Sequence, residues 1–295
     1  MPDRRITGMT RIYGLMGDPV EHSVSPAMQN AAFEARGLDA VYLPFKVKSQ
    51  ELQPAIQGIR ALNIQGLNVT IPHKVAVIPF LDELDPLAEN IGAVNTIVNE
   101  EDSLKGFNTD ASGFLKALLS EGIQPERKNV VILGAGGAAR AIAFILADRG
   151  ANLIILNRHI EAAQDLADRI VNLFRREVQA LEMKPGNLQT ALKSGDIIVN
   201  TTSVGMSPGL SETPVPPSLI QRGQVVFDII YNPVRTRLMD ESKKRGAKVI
   251  GGVEMLVQQG AAAYEHWTGQ EAPIEVMRQA ALKALEEPDK RSNPD

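Results

Sequence analysis

The chain has 295 residues, 44% of them hydrophobic and 22% charged, with a formal net charge of −4. That is ordinary globular composition, long enough for one large domain or two of usual size, each with a real core. The charges are dispersed, which argues against nucleic acid or an anionic membrane as the main partner. There is no cysteine, so disulfides, thiolate nucleophiles and cysteine-rich zinc sites are excluded and a reducing cytoplasm is compatible.

No stretch approaches the ~20 apolar residues of a membrane span. The opening MPDRRITGMTR has charge but no apolar core of a secretory signal. We therefore expect a cytoplasmic protein. Residues 1–9 and 288–295 read as flexible tails, and Met9 is an alternative start. The Asn68-Val69-Thr70 and Asn200-Thr201-Thr202 glycosylation patterns are read as chance.

From residue 10 onward, short apolar runs alternate with amphipathic stretches, the signature of α/β architecture. The first third offers strands at Arg11–Leu15, Val41–Phe45, Gly66–Val69 and Ala93–Val98. Helices are expected at Pro26–Arg36, at Glu51–Leu62 with Ser49 or Gln50 near its N-cap, and more weakly at Leu81–Ile91. Asp110 opens a helix to Glu121, stopped by Gly122. Val130–Leu133 is a continuous apolar run, as expected of a strand buried on both faces of a parallel sheet. Further strands fall at Leu153–Leu156, Val178–Leu181, Ile197–Val199, Val225–Phe227 and Lys248–Ile250. Helical patterns at Ala138–Arg149, Ile160–Arg175 and Arg235–Lys244 separate most of them, giving a six-stranded doubly wound Rossmann domain. Residues 251–287 are helical with a break at Thr268-Gly269, and are expected to return to the N-terminal domain. The predicted organisation is thus two-lobed α/β: 10–109 with 255–287 as substrate-binding domain, 110–254 as dinucleotide-binding domain, and a cleft between them.

Gly134-Ala135-Gly136-Gly137-Ala138-Ala139 follows the buried strand directly and opens a helix. Strand, glycines and helix fall in the order a dinucleotide fold needs: a tight turn at Gly134, close backbone approach at Gly136, and helix-terminus N–H donors. A tight packing turn is the bland alternative. The next strand ends Leu156-Asn157-Arg158. It carries no acid for a ribose 2′-hydroxyl, and its guanidinium suits a 2′-phosphate, so NADP is expected over NAD. A solvated surface arginine is the alternative here.

Three clusters in the first third are unusually polar. In Glu21-His22-Ser23-Val24-Ser25-Pro26, Ser23 and Ser25 share a side if the segment is extended, and two hydroxyls can grip a carboxylate. Plain N-capping by Ser25 is the commoner role. Asn68 and Thr70 share one side of a strand end, with Lys74 following. Asn95-Thr96 and Asn108-Thr109-Asp110 form the third cluster, in which Asp110 also suits a helix N-cap. The four histidines, at 22, 73, 159 and 266, show no metal-ligand spacing, and no metal site is predicted.

At these clusters the chain resembles the shikimate dehydrogenases. The matching stretches are G-D-P-V-E-H-S-V-S-P, N-V-T-I-P-H-K, G-A-V-N-T, G-F-N-T-D-A-S-G, G-A-G-G-A-A-R-A, N-R, N-T-T-S-V-G-M, D-I-I-Y-N-P and G-G-V-E-M-L-V-Q-Q, running in family order from about Arg11 to Met277. The resemblance implies Lys74 and Asp110 as the catalytic pair. It implies Ser23, Ser25, Asn68, Thr70, Asn95, Tyr231 and Gln259 as substrate contacts. The implied cofactor contacts are Gly134, Ala135, Gly136, Gly137, Ala138, Asn157, Arg158, Thr201, Ser203, Met206, Ile229, Gly252 and Met255. The implied reaction is reversible, NADP-dependent reduction of 3-dehydroshikimate to shikimate, on the route to chorismate and aromatic amino acids. A quinate/shikimate enzyme using NAD as well is the alternative. A metabolite sensor would be expected to have lost Lys74 or Asp110, and both are present. Methylene-tetrahydrofolate dehydrogenases share the architecture without the S-x-S and N-x-T clusters. The chain departs from the family pattern at Gln29, His159, Ala162 and Ser203. The expected partners are small molecules, with the protein a monomer or homodimer.

Overall fold

A computed structural model describes residues 6–287. Most of both expected tails lies outside those residues. The described chain forms two compact units, residues 6–109 with 257–287 and residues 110–256, and it crosses between them at Thr109-Asp110 and Leu256-Val257.

The first unit contains β1 (Arg11–Gly17), α1 (Ser25–Ala35), β2 (Ala40–Lys46), α2 (Leu52–Ala61), β3 (Gly66–Val69), α3 (His73–Ala76), β4 (Glu83–Leu84), α4 (Pro86–Ile91), β5 (Thr96–Glu100) and β6 (Ser103–Phe107). Its sheet runs β2-β1-β3-β5-β6-β4. The pairs β1–β2, β1–β3 and β4–β6 are parallel, and β3–β5 and β5–β6 antiparallel. The apolar stripe Leu52, Ile56 and Ile59 on α2 has helical spacing and packs with Met16, Leu67, Val69, Ile97 and Leu104.

The sequence reading misses the β5–β6 hairpin, because its two-residue turn is Glu101-Asp102. Both residues have positive φ (51° and 72°), without the Asn-Gly that usually marks such a turn. The single strand expected at Ala93–Val98 is therefore replaced by a later one, Thr96–Glu100, and its partner. The helix expected at Leu81–Ile91 is also shorter. Glu83–Leu84 pairs with β6, and α4 begins at Pro86, capped by the Asp85 carboxylate accepting from Leu87 N–H at 2.9 Å. Ahead of α2, Ser49–Glu51 form a separate 3₁₀ turn, so Glu51 occupies the N-cap position in place of Ser49 or Gln50.

The second unit contains α5 (Asp110–Ser120), β7 (Asn129–Leu133), α6 (Gly137–Asp148), β8 (Asn152–Asn157), α7 (Ile160–Phe174), β9 (Val178–Glu182), α8 (Pro185–Ser194), β10 (Ile197–Asn200), β11 (Val225–Asp228), α9 (Arg237–Lys244) and β12 (Lys248–Ile250). All strands are parallel, in the order β12-β11-β10-β7-β8-β9, the doubly wound Rossmann order. Strand β7 shows why its run lacks alternation. Val130 and Ile132 pack with Ile142 and Leu146 of α6, whereas Val131 and Leu133 pack with Leu188 and Leu192 of α8. Helix α8 is absent from the sequence reading because its apolar stripe is short, only Leu188, Ala191 and Leu192.

Helix α10 (Gly252–Thr268) follows, and then α11 (Ile274–Glu286), which packs on α1 in the first unit. Near the end of α10, Trp267 lies 5.3 Å from the Tyr13 ring and 6.0 Å from Tyr42. Its indole N–H donates to the Ile97 carbonyl at 3.0 Å. A Cβ at Gly66 would run into this indole, so the glycine is needed for the close approach of β3. Trp267→Ala should cost about 3–5 kcal/mol in urea unfolding. Gly66→Ala should cost less in that background than in the parent chain, with a remaining cost from the Ile97 carbonyl, 2.9 Å from the added Cβ; equal costs would disprove the steric coupling.

Candidate functional site

In the first unit, a buried amide network joins residues far apart in the chain. Asn68, on β3, accepts from the Tyr42 hydroxyl at 2.8 Å and donates to the Asn95 carbonyl (3.1 Å) and the Thr96 hydroxyl (3.2 Å). Asn95 in turn donates to the Thr109 hydroxyl (2.9 Å) and to Gln259 Oε1 (3.3 Å), and accepts from Thr109 N–H (2.8 Å). Asn68, Asn95 and Gln259 are therefore brought together. Thr70 continues the strand line, its N–H donating to the Met16 carbonyl at 2.9 Å. Lys74 is half-buried in α3, and its carbonyl accepts from Val94 N–H at 2.7 Å, which ties the helix to the segment leading into Asn95.

The two serines are arranged differently from the expectation. Val24 between them is helical (φ −89°, ψ −2°), so Ser23 and Ser25 do not share a side as alternate residues of an extended strand. Ser25 is the first residue of α1 and makes no side-chain cap; the Ser23 hydroxyl instead accepts from Ser25 N–H at 3.3 Å. Just before them, the Glu21 carboxylate takes a 2.7 Å bond from Lys46, and this partner holds its pKa down to about 2. This bond fastens the turn to the end of β2.

In the second unit, Gly134 has φ +109°, which favours glycine. A Cβ there would also sit 2.6 Å from the Thr201 hydroxyl, which donates to the Leu133 carbonyl at 2.7 Å. Gly136 occupies the N-cap of α6, with open space where its Cβ would be. Ala139 is fully buried against the strand, and Ala135, Gly137 and Ala138 line the turn. The Gly134 N–H donates to the Leu156 carbonyl at 2.7 Å, and the turn leads directly into the N-terminus of α6, the kind of backbone geometry that suits an anion. At the end of β8, the Asn157 amide donates to the His159 carbonyl at 3.0 Å, and Arg158 is exposed. The aligned residue on β9 is Glu182, whose carboxylate lies 2.6 Å from Lys184.

Beyond β10 and β11, Ser203 is exposed, while Ile229 and Tyr231 are half-buried. Met206 lies in the same stretch, its N–H donating to the Ser203 carbonyl at 3.1 Å. Gly252 allows its helix to approach the Ile229 carbonyl, which a Cβ would strike. Met255 is buried in the core with Phe227 and Ile250. Asp110, expected as a helix cap, is the first residue of α5 itself and is buried.

Sequence reasoning did not single out Asp228, at the end of β11. It is fully buried and accepts from the Thr236 hydroxyl (2.6 Å), the Asn200 amide (3.0 Å) and Ile230 N–H (3.2 Å). The available signal was an acid ending an apolar run, Val225-Val226-Phe227-Asp228.

Three family models match: the shikimate dehydrogenase substrate binding domain over residues 15–97, shikimate/quinate 5-dehydrogenase over 118–233, and the shikimate 5′-dehydrogenase C-terminal domain over 252–282. A relative from Dehalococcoides mccartyi, named shikimate dehydrogenase (NADP(+)), is 50% identical over 94% of this chain and 96% of its own. The chain belongs to the shikimate dehydrogenase family. A crystal structure of a shikimate dehydrogenase in complex with NADP+ matches with a TM-score of 0.89 and 44% identity, over 96% of this chain and 98% of that one. A Thermus thermophilus shikimate 5-dehydrogenase, in complex with NADP(H) and shikimate, matches with a TM-score of 0.83 and 37% identity, over 93% and 100%. Asp110 falls between the first two family models. Among the described residues, no helix is long and apolar enough to cross a membrane, and no group of three His, Asp or Glu side chains is placed to hold a metal ion.

Burial pushes the Asp228 carboxyl up to about 6 from an ordinary 3.8, against the lowering effect of its three hydrogen bonds. The folded state thus binds this proton more tightly than an unfolded chain does, so the group's contribution to stability falls as pH rises from about 4 to about 6 and is flat above. An asparagine at this position has no such titration. In urea unfolding, the stability of the parent chain relative to Asp228→Asn should drop by about 2 kcal/mol between about pH 4.5 and about pH 6.5. A pH-independent difference would contradict the assigned shift.

Proposed function

We propose that this protein catalyses the reversible, NADP-dependent reduction of 3-dehydroshikimate to shikimate, on the route to chorismate and the aromatic amino acids. Kinship over nearly the whole chain with relatives named for that activity carries the reading. In it, residues 10–109 with 255–287 hold the substrate and 110–254 hold the dinucleotide. Ser23, Ser25, Asn68, Thr70, Asn95, Tyr231 and Gln259 bind shikimate through hydroxyl and amide groups matched to its hydroxyls and carboxylate. The turn from Gly134 to Ala138 takes the pyrophosphate through the backbone N–H groups that follow Gly134, whose own N–H donates to the Leu156 carbonyl at 2.7 Å, with the α6 N-terminus adding its positive dipole. Asn157 and Arg158 take the adenosine end. Thr201, Ser203, Met206, Ile229, Gly252 and Met255 shape the nicotinamide end.

The bound cofactor supplies the hydride. What the chain must add is a proton for the carbonyl oxygen and a positive group beside the developing alkoxide. Lys74, as an ammonium, provides both, and as a free amine accepts the proton in the reverse direction. Asp110 orients Lys74 and supports its charge. We place it in the cytoplasm as a monomer or homodimer, and its dispersed charge supports small molecules as its partners over nucleic acid or a membrane surface.

Mixing the protein with NADP+ and shikimate should generate NADPH absorbance. Lys74→Ala should lower kcat by about 10²–10⁴-fold, with NADPH binding, read by its fluorescence, retained. No turnover by the parent chain, despite NADP binding, would overturn the reading. Comparable rates with quinate and NAD+ would move it to a dual-specificity enzyme. Arg158→Ala should raise KM for NADP+ at least about tenfold and leave that for NAD+ nearly unchanged, because only NADP+ carries the phosphate its guanidinium binds. Equal effects on the two cofactors would remove Arg158 from that role.

A further inference from the structure

Asp228 is a carboxylate at which two loops of the second unit are fastened together. Its Oδ1 accepts from the Asn200 amide and from Ile230 N–H, and its Oδ2 from the Thr236 hydroxyl. From Asn200 the linkage continues outward. The Asn200 Oδ1 accepts from both N–H (3.0 Å) and hydroxyl (2.7 Å) of Thr202, and the Thr202 hydroxyl accepts from Val204 N–H at 3.2 Å. These bonds set the course of the chain from Thr201 to Met206. On the other side, Thr236 caps α9 through Met239 N–H at 3.3 Å, so the segment 229–236 is held at both ends. The Ile230 carbonyl accepts from Gly252 N–H at 3.2 Å, and Ile229 lies against Gly252 with no room for a Cβ.

These groups lie at or follow the carboxyl ends of β10, β11 and, for Gly252, β12, on the side of β7 opposite to β8 and β9. In a doubly wound sheet, a dinucleotide crosses the point where strand order reverses. Its adenosine half lies over the first mononucleotide unit and its nicotinamide half over the second. Every segment that Asp228 fastens therefore belongs to the nicotinamide half. None belongs to the glycine turn or to Asn157-Arg158.

We infer that Asp228 is a positioning residue for the nicotinamide end of the cofactor site, holding the 201–206 and 229–236 loops in the one arrangement that receives the ring. The inference rests on the dinucleotide reading proposed above. A carboxylate suits the task because it accepts at several sites without donating, so three donors from two segments converge on one side chain. An asparagine in its place keeps the shape but, with its amide nitrogen toward Thr236, removes the acceptor to which the Thr236 hydroxyl donates.

The test compares NADPH with 2′,5′-ADP, which has the adenosine end and 2′-phosphate but no nicotinamide. Binding is read by calorimetry above neutral pH, for the parent chain, Asp228→Asn, Thr236→Val and Thr236→Ser. Asp228→Asn and Thr236→Val should each weaken NADPH binding about tenfold and leave 2′,5′-ADP within about twofold. Thr236→Ser restores the hydroxyl and should bind both ligands as the parent does. Unchanged NADPH binding in Asp228→Asn and Thr236→Val would overturn the inference, as would equal weakening for both ligands, which marks a general loss of fold. If Asp228→Asn does not fold, the two Thr236 variants decide the matter by the same comparison. A parent chain that binds neither ligand would overturn the dinucleotide reading itself, and this inference with it.

Discussion

Complete burial of the apolar run of β7 is the constraint on which the second unit depends. Val130, Val131, Ile132 and Leu133 expose nothing, so helices must cover both faces of the sheet. Covering both faces requires the chain to run outward in each direction from β7, and that reversal leaves a crevice at the carboxyl ends of the strands. The glycine turn at Gly134 sits there because it is the direct continuation of β7. Larger residues would fail at this position for two reasons: φ is positive, and the Thr201 hydroxyl stands 2.6 Å from where a Cβ would lie.

Asn68, Asn95 and Asp228 obey one rule at different scales. A buried amide or carboxylate is tolerable only when its hydrogen bonds are made. Asn68 and Asn95 meet it by bonding to each other's segments and to Tyr42, Thr96, Thr109 and Gln259. Asp228 meets it with three donors, yet desolvation still outweighs them and raises its pKa.

The elements read most directly from sequence are those whose signal is local. The β7 run, the glycine turn and the helix of α6 are contiguous, so strand, turn and helix-terminus chemistry appear in one stretch, Asn129 to Asp148. The stripe of α2 is legible for the same reason. The hairpin at Glu101-Asp102 is not, because neither residue type favours positive φ strongly; pairing of β5 with β6 imposes it. The extended reading of Ser23 and Ser25 also failed for a tertiary reason. The turn is pinned by Glu21 to Lys46 on another strand, and Val24 is already helical.

By itself, the sequence determined the α/β class, the doubly wound order of apolar runs, the dinucleotide turn and, through its resemblance, the family. Each depends on residue type at short spacing. Tertiary structure alone decided how Asn95 meets Gln259, 164 positions away, and how Asp228 gathers donors from Asn200, Ile230 and Thr236. Hydrogen bonds between distant segments leave no periodicity in the chain. Only the closing of the sheets, driven by burial of their apolar faces, brings such donors and acceptors within about 3 Å of one another.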